Sequence, residues 1–258
     1  MQGKSHVMRD FHHPRLRVTF PLGFDFLACL CFIYQPMKQW IKIERIPGVL
    51  ASSYEKATRM VIEAYYRQVA TEIVSNFKLG VILDLGTGPG YLPIEIVRRA
   101  PDINITGVDL SRKLIQMAQA NAAKAGLSHR LTFEVGNAAG LHFDSASFDM
   151  VISTGMLHSL NRPIAVLIEI YRVLKKGGEA WIYDPANVTT YIDKRKWRAS
   201  LNFRERSFLW FFKLLGLHKP IAAYTREQVI PMIEATDFES FEIDERKNEI
   251  RIKLRKES

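Results

Sequence analysis

The chain has 258 residues, 47% of them hydrophobic, and a formal net charge of +9. That length suits one α/β domain with additions and a substantial buried core, and the apolar content excludes an intrinsically disordered protein. Cys29 and Cys31 stand two positions apart, too close for an ordinary disulfide and without redox or zinc spacing, so a reducing, cytoplasmic setting with no bound metal is expected.

The first fifty residues carry His6, His12 and His13, which have no ligand spacing and suit a solvated terminus. From Phe20 to Tyr34 the chain is apolar but holds Pro21, Gly23 and Asp25 and is too short to span a bilayer as a helix. Buried packing is favoured for it over a membrane-surface contact. Between Ser52 and Phe77 the apolar residues Met60, Val61, Ala64, Tyr65, Val69, Ile73 and Val74 recur at helical spacing, which predicts one helix or two.

From Val81 to Leu85 the residues are those of a strand buried on both faces, as parallel sheets require. Gly86, Gly88 and Gly90 follow, permitting backbone angles closed to other residues and close approach of a ligand to the main chain. Helical spacing resumes after Gly90, with Pro93 in the first turn. Tyr91 stands where a dinucleotide fingerprint would need its third glycine, and no Gly-Lys-Ser or Gly-Lys-Thr follows, so neither that site nor a P-loop is present. A second strand, Ile103 to Asp109, ends in an acid about twenty residues beyond the turn, where a carboxylate can accept from both hydroxyls of a ribose. Ser111 is a candidate N-cap for a helix through Ala125, closed by Gly126.

Leu131 to Gly136 is the third strand, followed by Asn137 and Ala138. The fourth, Phe148 to Ser153, delivers a loop with His158 to the carboxyl edge of the sheet, where doubly wound folds bind ligands. There a near-neutral imidazole can take a proton from an attacking hydroxyl or amine. Arg162 and Pro163 open a helix ending near Leu174, and Glu179 to Asp184 is the fifth strand. Residues 185–224 break the alternation with Lys194, Arg195, Lys196, Arg198, Arg204 and Arg206 before an aromatic-rich run to Leu217, which suits a lid that determines the substrate. Thr225 and Gln228 form a capping box. The final segments, Phe238 to Asp244 and Glu249 to Leu254, should pair antiparallel.

The acid and the Gly-x-Gly-x-Gly at Asp84, Gly86, Gly88 and Gly90 resemble the first motif of the class I S-adenosylmethionine-dependent methyltransferases. Leu174-Lys175-Lys176-Gly177-Gly178 before a strand is similar to the branch that includes ubiquinone and menaquinone biosynthetic enzymes. The resemblance covers about Val81 to Asp184. It implies a Rossmann-like doubly wound α/β sheet with a terminal antiparallel hairpin. One domain is expected: a helical extension (1–77), cofactor core (78–184), lid (185–224), then last helix and hairpin (225–258). It implies S-adenosyl-L-methionine as cofactor, held by Asp84, Gly86, Thr87, Gly88, Gly90, Asp109, Leu110, Asn137, Ala138 and Ser153; His158 is the candidate catalytic base by its position alone, the other reading being a histidine that packs or hydrogen-bonds in the loop. Asn137 departs from the family, which usually places an acid there; its amide oxygen could still accept from the adenine amino group. On the pre-sheet helix Tyr54 or Tyr65 could line the pocket, but aromatic core packing is the favoured role for either.

The expected partner is a small or medium-sized, apolar acceptor rather than nucleic acid, with peripheral contact to an anionic membrane compatible with the basic and aromatic segments. The rival reading is a methyltransferase-like module that binds cofactor, RNA or protein without transferring a methyl group. Oligomeric state is not legible.

Overall fold

The computed structural model describes residues 51–60, 65–185, 195–196, 199, 201–203, 206–207, 210, 224–246 and 249–257. Expectations for the cysteines, the terminal histidines and residues 20–34 lie outside these, as does nearly all of the aromatic run to Leu217. Among the described residues no helix is long and apolar enough to cross a membrane.

Helix α1 (Ala51–Met60) and helix α2 (Arg67–Asn76) precede the sheet. Strand β1 (Gly80–Leu85), helix α3 (Tyr91–Val97), β2 (Ile103–Asp109), α4 (Arg112–Lys124) and β3 (Leu131–Val135) build one half. Strand β4 (Phe148–Thr154), α5 (Pro163–Val173), β5 (Leu174–Pro185), α6 (Arg226–Glu234), β6 (Ser240–Arg246) and β7 (Glu249–Arg255) build the other. The seven strands lie in the order β3-β2-β1-β4-β5-β7-β6. Strands β1 to β5 are parallel, and β7 runs antiparallel between β5 and β6.

Alternation along the strands explains the two layers of core. Ile82, Ile105, Met150 and Ile152 meet Ile73 of α2, Ile96 of α3 and Ala118 of α4, forming one apolar cluster. Leu83, Leu85, Val108, Val151 and Ile182 join Leu167 and Ile170 of α5 and Val229 and Ile233 of α6 in the other. Complete burial of each large aliphatic side chain is worth about 1.5–3 kcal/mol, so the sheet is stabilised from both faces. That burial leaves the carboxyl ends of β1, β2, β4 and β5 as the edge where polar residues collect.

The capping box forms as expected: Thr225 N–H donates to Gln228 Oε1 at 3.0 Å, and the helix continues through Pro231. Strand β5 begins five residues earlier than expected. Residues 174–178 already extend alongside β4, with a register shift between Phe148 and Met150 and Gly177 at φ +76° absorbing the extra length. A left-handed glycine therefore lies inside a bulged strand entry.

Candidate active site

The apolar strand β1 ends by placing Asp84 in the protein interior. Beyond it, Gly86 and Thr87 donate backbone hydrogen bonds to Val108 O at 2.8 and 3.1 Å, folding the turn against β2. Gly86, Gly88 and Gly90 have φ of +74°, +54° and +75°, angles that explain glycine at each position. A side chain at Gly86 would meet Met156 Sδ at 3.0 Å; at Gly88 the nearest atom is a Tyr54 ring carbon at 3.6 Å. Gly88 is thus the point where the turn leaves room for a ligand, with Tyr54 of α1 alongside.

Asp109 closes the turn from β2. Its Oδ2 accepts from Gly88 N at 3.0 Å and its Oδ1 from Ser111 N at 2.8 Å. Each carboxylate oxygen has two acceptor positions, so both keep capacity for a ribose hydroxyl. Burial raises the Asp109 pKa, opposed by these two N–H donors. Ser111 occupies the N-cap position of α4 with extended angles.

Asp84, Gly86 and Thr87 line one pocket with Tyr66, Tyr91, Leu92 and Thr154. Burial pushes the Asp84 carboxyl up to about 7; the nearby Thr87 hydroxyl opposes that rise and the Asp109 charge adds to it. Thr87 Oγ1 nevertheless meets no partner in hydrogen-bond geometry, and neither does Thr154 Oγ1. Two buried, unsatisfied hydroxyls on one pocket wall mark a place for a polar ligand. Tyr91, at the first position of α3, donates its hydroxyl proton to Glu55 and accepts from Arg59 Nε at 3.2 Å, so α1 is tied to the pocket rim.

Tyr65 takes the core-packing role favoured for it and donates to Glu249 Oε1 at 2.6 Å. Its neighbour Tyr66 is the pocket residue. Ser153, expected as a cofactor contact, is buried and donates its hydroxyl to Leu85 O at 3.0 Å, joining β4 to β1. Asn137 forms a turn: its Oδ1 accepts from Ala139 N at 3.0 Å, and its backbone bridges Gly140. One of the two acceptor positions of the amide oxygen assigned to adenine is therefore taken by the turn. Ala138 is buried in the second core cluster and Leu110 half-buried beside Asp109; of the expected cofactor residues Asp84, Gly86 and Thr87 line this pocket, whereas Gly88, Gly90, Asp109, Leu110, Asn137, Ala138 and Ser153 do not, nor does His158.

His158 sits in a 3-10 turn, Leu157–Ser159, just past the carboxyl end of β4. Its backbone N–H donates to Asp184 Oδ2 at 3.0 Å, and its Nδ1 lies 2.8 Å from Asp184 Oδ1. Asp184, near the end of β5, is 0% exposed. Sequence reading missed this carboxylate, although it ends a buried apolar strand as Asp84 and Asp109 do. Among the described residues no group of three or more acids, histidines or cysteines has metal-binding geometry.

A methyltransferase-domain family model matches residues 82–178. The demethylmenaquinone methyltransferase of Lactobacillus johnsonii is 32% identical over 174 residues, covering 67% of this chain and 70% of that protein. The ubiquinone/menaquinone biosynthesis C-methyltransferase UbiE of Geobacter sp. (strain M21) is 30% identical over 158 residues, covering 59% and 67% respectively. Among the first relatives matched, the chain spans 63 to 67% of their length. A crystal structure assigned to an S-adenosyl-L-methionine-dependent methyltransferase of Methanococcus maripaludis superposes with a TM-score of 0.65 at 21% identity, covering 86% of this chain and 98% of that one; at that identity the likeness speaks for the fold. Shared sequence with the methyltransferases and the sheet order β3-β2-β1-β4-β5-β7-β6 agree: this chain belongs to the class I S-adenosylmethionine-dependent methyltransferases.

Proposed function

We propose that this chain transfers a methyl group to a small or medium-sized, apolar acceptor of the quinone-precursor kind. One observation carries the cofactor half: the glycine turn, with Gly88 N–H fixed by Asp109, borders a pocket walled by the unsatisfied hydroxyls of Thr87 and Thr154. These residues fit S-adenosylmethionine. Asp109 would hold the ribose, Gly86 to Gly90 would present backbone to the amino-acid portion, and Asp84, Thr87 and Thr154 would supply polar contacts to a cationic ligand. When bound, that cofactor supplies an electrophilic methyl on a sulfonium, and the chain's part is to align and desolvate.

The acceptor half rests on the two relatives, which are named for demethylmenaquinone and for ubiquinone/menaquinone synthesis. A peripheral contact with anionic membrane is supported by exposed Phe203 and Trp210, 84% and 66% accessible, in a segment that also exposes Arg195, Lys196 and Arg206. Aromatic rings beside cations suit a headgroup layer.

Calorimetry with S-adenosylmethionine and its demethylated product tests the cofactor site. Asp109→Ala should weaken binding by about 1–3 kcal/mol, the scale for losing a charged acceptor. Unchanged affinity removes Asp109 from the site. Incubating the protein and labelled cofactor with separated lipid, small-molecule, RNA and protein fractions should label the lipid fraction. Label confined to RNA or protein defeats the apolar-acceptor reading, and binding without any label favours the non-catalytic module. Sedimentation with anionic vesicles tests the membrane contact; Phe203→Ser with Trp210→Ser should abolish it.

A further inference from the structure

A buried carboxylate is costly unless it is paired, and the last strand carries one into the interior. Glu249, at the start of β7, is 6% exposed. Its Oε1 accepts from the Tyr65 hydroxyl at 2.6 Å, and its Oε2 lies 3.1 Å from Arg251 Nε. Arg251 Nη1 then reaches α2 and donates to Glu72 Oε2 at 2.9 Å, while Lys253 Nζ lies 3.5 Å from Glu72 Oε1. Two carboxylates thus face two cations. The Arg251 guanidinium also lies over the Tyr183 ring of β5, 5.3 Å from its centroid, which limits where it can move.

Tyr65, Glu72, Glu249 and Arg251 stand outside the lining of the pocket around Asp84, but the residue they hold in place is part of it. The Tyr65 ring is fixed in the core and its hydroxyl in the bond to Glu249, so the backbone at 65 has little freedom. Tyr66 follows at φ −64° and ψ −33° and lines the pocket, its ring centroid 5.8 Å from that of Tyr65. The two tyrosines form a π-type turn at the head of α2, a feature rare in helices and recurrent at functional sites.

Burial holds the Tyr66 hydroxyl well above its ordinary pKa, and the nearby Tyr54 and Asp84 add to the rise, so Tyr66 is a neutral phenol at working pH. An aromatic ring attracts a cation through its quadrupole and gains nothing comparable from a neutral group. S-adenosylmethionine carries a cationic sulfur and its demethylated product a neutral one. We propose that Tyr66 is a specificity residue that favours the charged cofactor over the spent product, and that Glu249 and Arg251 of β7 are positioning residues that act on the pocket through Tyr65. This rests on the reading of the pocket as the cofactor site and deepens it. Each turnover removes the charge that Tyr66 holds, so the same residue that retains the cofactor lets the product leave.

The experiment pairs calorimetry of the full-length protein with fluorine NMR of fluorotyrosine-labelled protein, in which the line lost in Tyr66→Phe assigns Tyr66. Calorimetry gives the dissociation constants of S-adenosylmethionine and S-adenosylhomocysteine, and their ratio is the readout. Tyr66→Leu should shift that ratio toward the product by about 3- to 30-fold. Glu249→Leu removes the acceptor of Tyr65 and should move the Tyr66 line and shift the ratio in the same direction. Glu249→Gln keeps an acceptor oxygen and should hold the ratio within about twofold of wild type. In the Tyr66→Leu background Glu249→Leu should shift the ratio no further, because both act through one side chain. Loss of stability alone would weaken the two ligands alike and leave the ratio where it was. Tyr65→Phe cuts the same bond from its other end and serves if Glu249→Leu does not fold. A ratio unchanged by Tyr66→Leu overturns the specificity role. A Tyr66 line that stays in place when the bond is cut, or a shift that adds to that of Tyr66→Leu, overturns the positioning role. Wild-type protein that binds neither ligand, with the Tyr66 line still answering to Glu249→Leu, overturns the cofactor reading and the specificity built on it while the link from β7 to Tyr66 stands.

Discussion

Tyr65 reaches across to Glu249, 184 positions later, and donates a 2.6 Å hydrogen bond to its carboxylate. The bond ties the residue just before Tyr66 to the last strand, and Tyr66 lines the cofactor pocket. Glu249 is also buried and pairs with Arg251 Nε at 3.1 Å, while Arg251 NH1 reaches Glu72 of α2 at 2.9 Å. Sheet and helix are thus joined by a charged network on the face that forms the pocket. Burial, with Glu249 beside it, holds the Tyr65 hydroxyl far above its ordinary pKa, so it acts as a donor at any working pH.

Tyr65→Phe should lower stability by about 1–3 kcal/mol, because a buried carboxylate oxygen loses its donor while ring packing is retained. Urea unfolding gives the number. A loss below about 0.5 kcal/mol would mean that Arg251 satisfies Glu249 alone.

Asp84 makes the cofactor-free protein sensitive to pH. Its carboxyl is raised by burial from 3.8 to about 7, so between those values the folded state binds the proton that the unfolded state releases. Stability therefore falls as pH rises from about 4 to 7 and levels off above. At 1.36 kcal/mol per tenfold change in proton affinity, the contribution is on the order of 4 kcal/mol. Asp84→Asn should melt higher than wild type at pH 8, with the gain vanishing near pH 4, and should bind S-adenosylmethionine less tightly. Equal melting temperatures at pH 8 would show that the buried charge is compensated by other groups.

Much of the cofactor region was legible because burial and backbone geometry constrain it. The apolar run before Asp84 and the glycines after it each have a local cause, and Asp109 follows from the length of one helix and one strand. What escaped depends on contacts between distant segments. Helical spacing put Tyr65 with the apolar residues and it is in the core, but that its neighbour Tyr66 lines the pocket is seen only once the helix is packed on the sheet. Ser153 has the position of a ligand contact, yet its hydroxyl is drawn to Leu85 O by the pairing of β4 with β1. Asp184 was readable as a strand-ending acid, but its meaning appears only when the turn after β4 brings His158 to it.

Gly90 and Gly126 separate conformational from steric cost, since both have positive φ, +75° and +72°. A Cβ at Gly126, just past the end of α4, meets nothing within 4 Å. Gly126→Ala should therefore lose only the left-handed penalty, roughly 1 kcal/mol. At Gly90 the same atom would lie 2.9 Å from Phe133 Cζ and 3.0 Å from Ala118 Cβ, against an edge strand and a helix that cannot both retreat. Overpacking adds about 1–3 kcal/mol to the conformational term. The displacement would fall on the start of α3, where Tyr91 borders the pocket and holds Glu55 and Arg59 of α1. Gly90→Ala should consequently lose both stability in urea and affinity for S-adenosylmethionine, while Gly126→Ala keeps its affinity. Equal losses in the two variants would show that backbone conformation alone sets the cost and that the close fit of the turn against Phe133 contributes nothing.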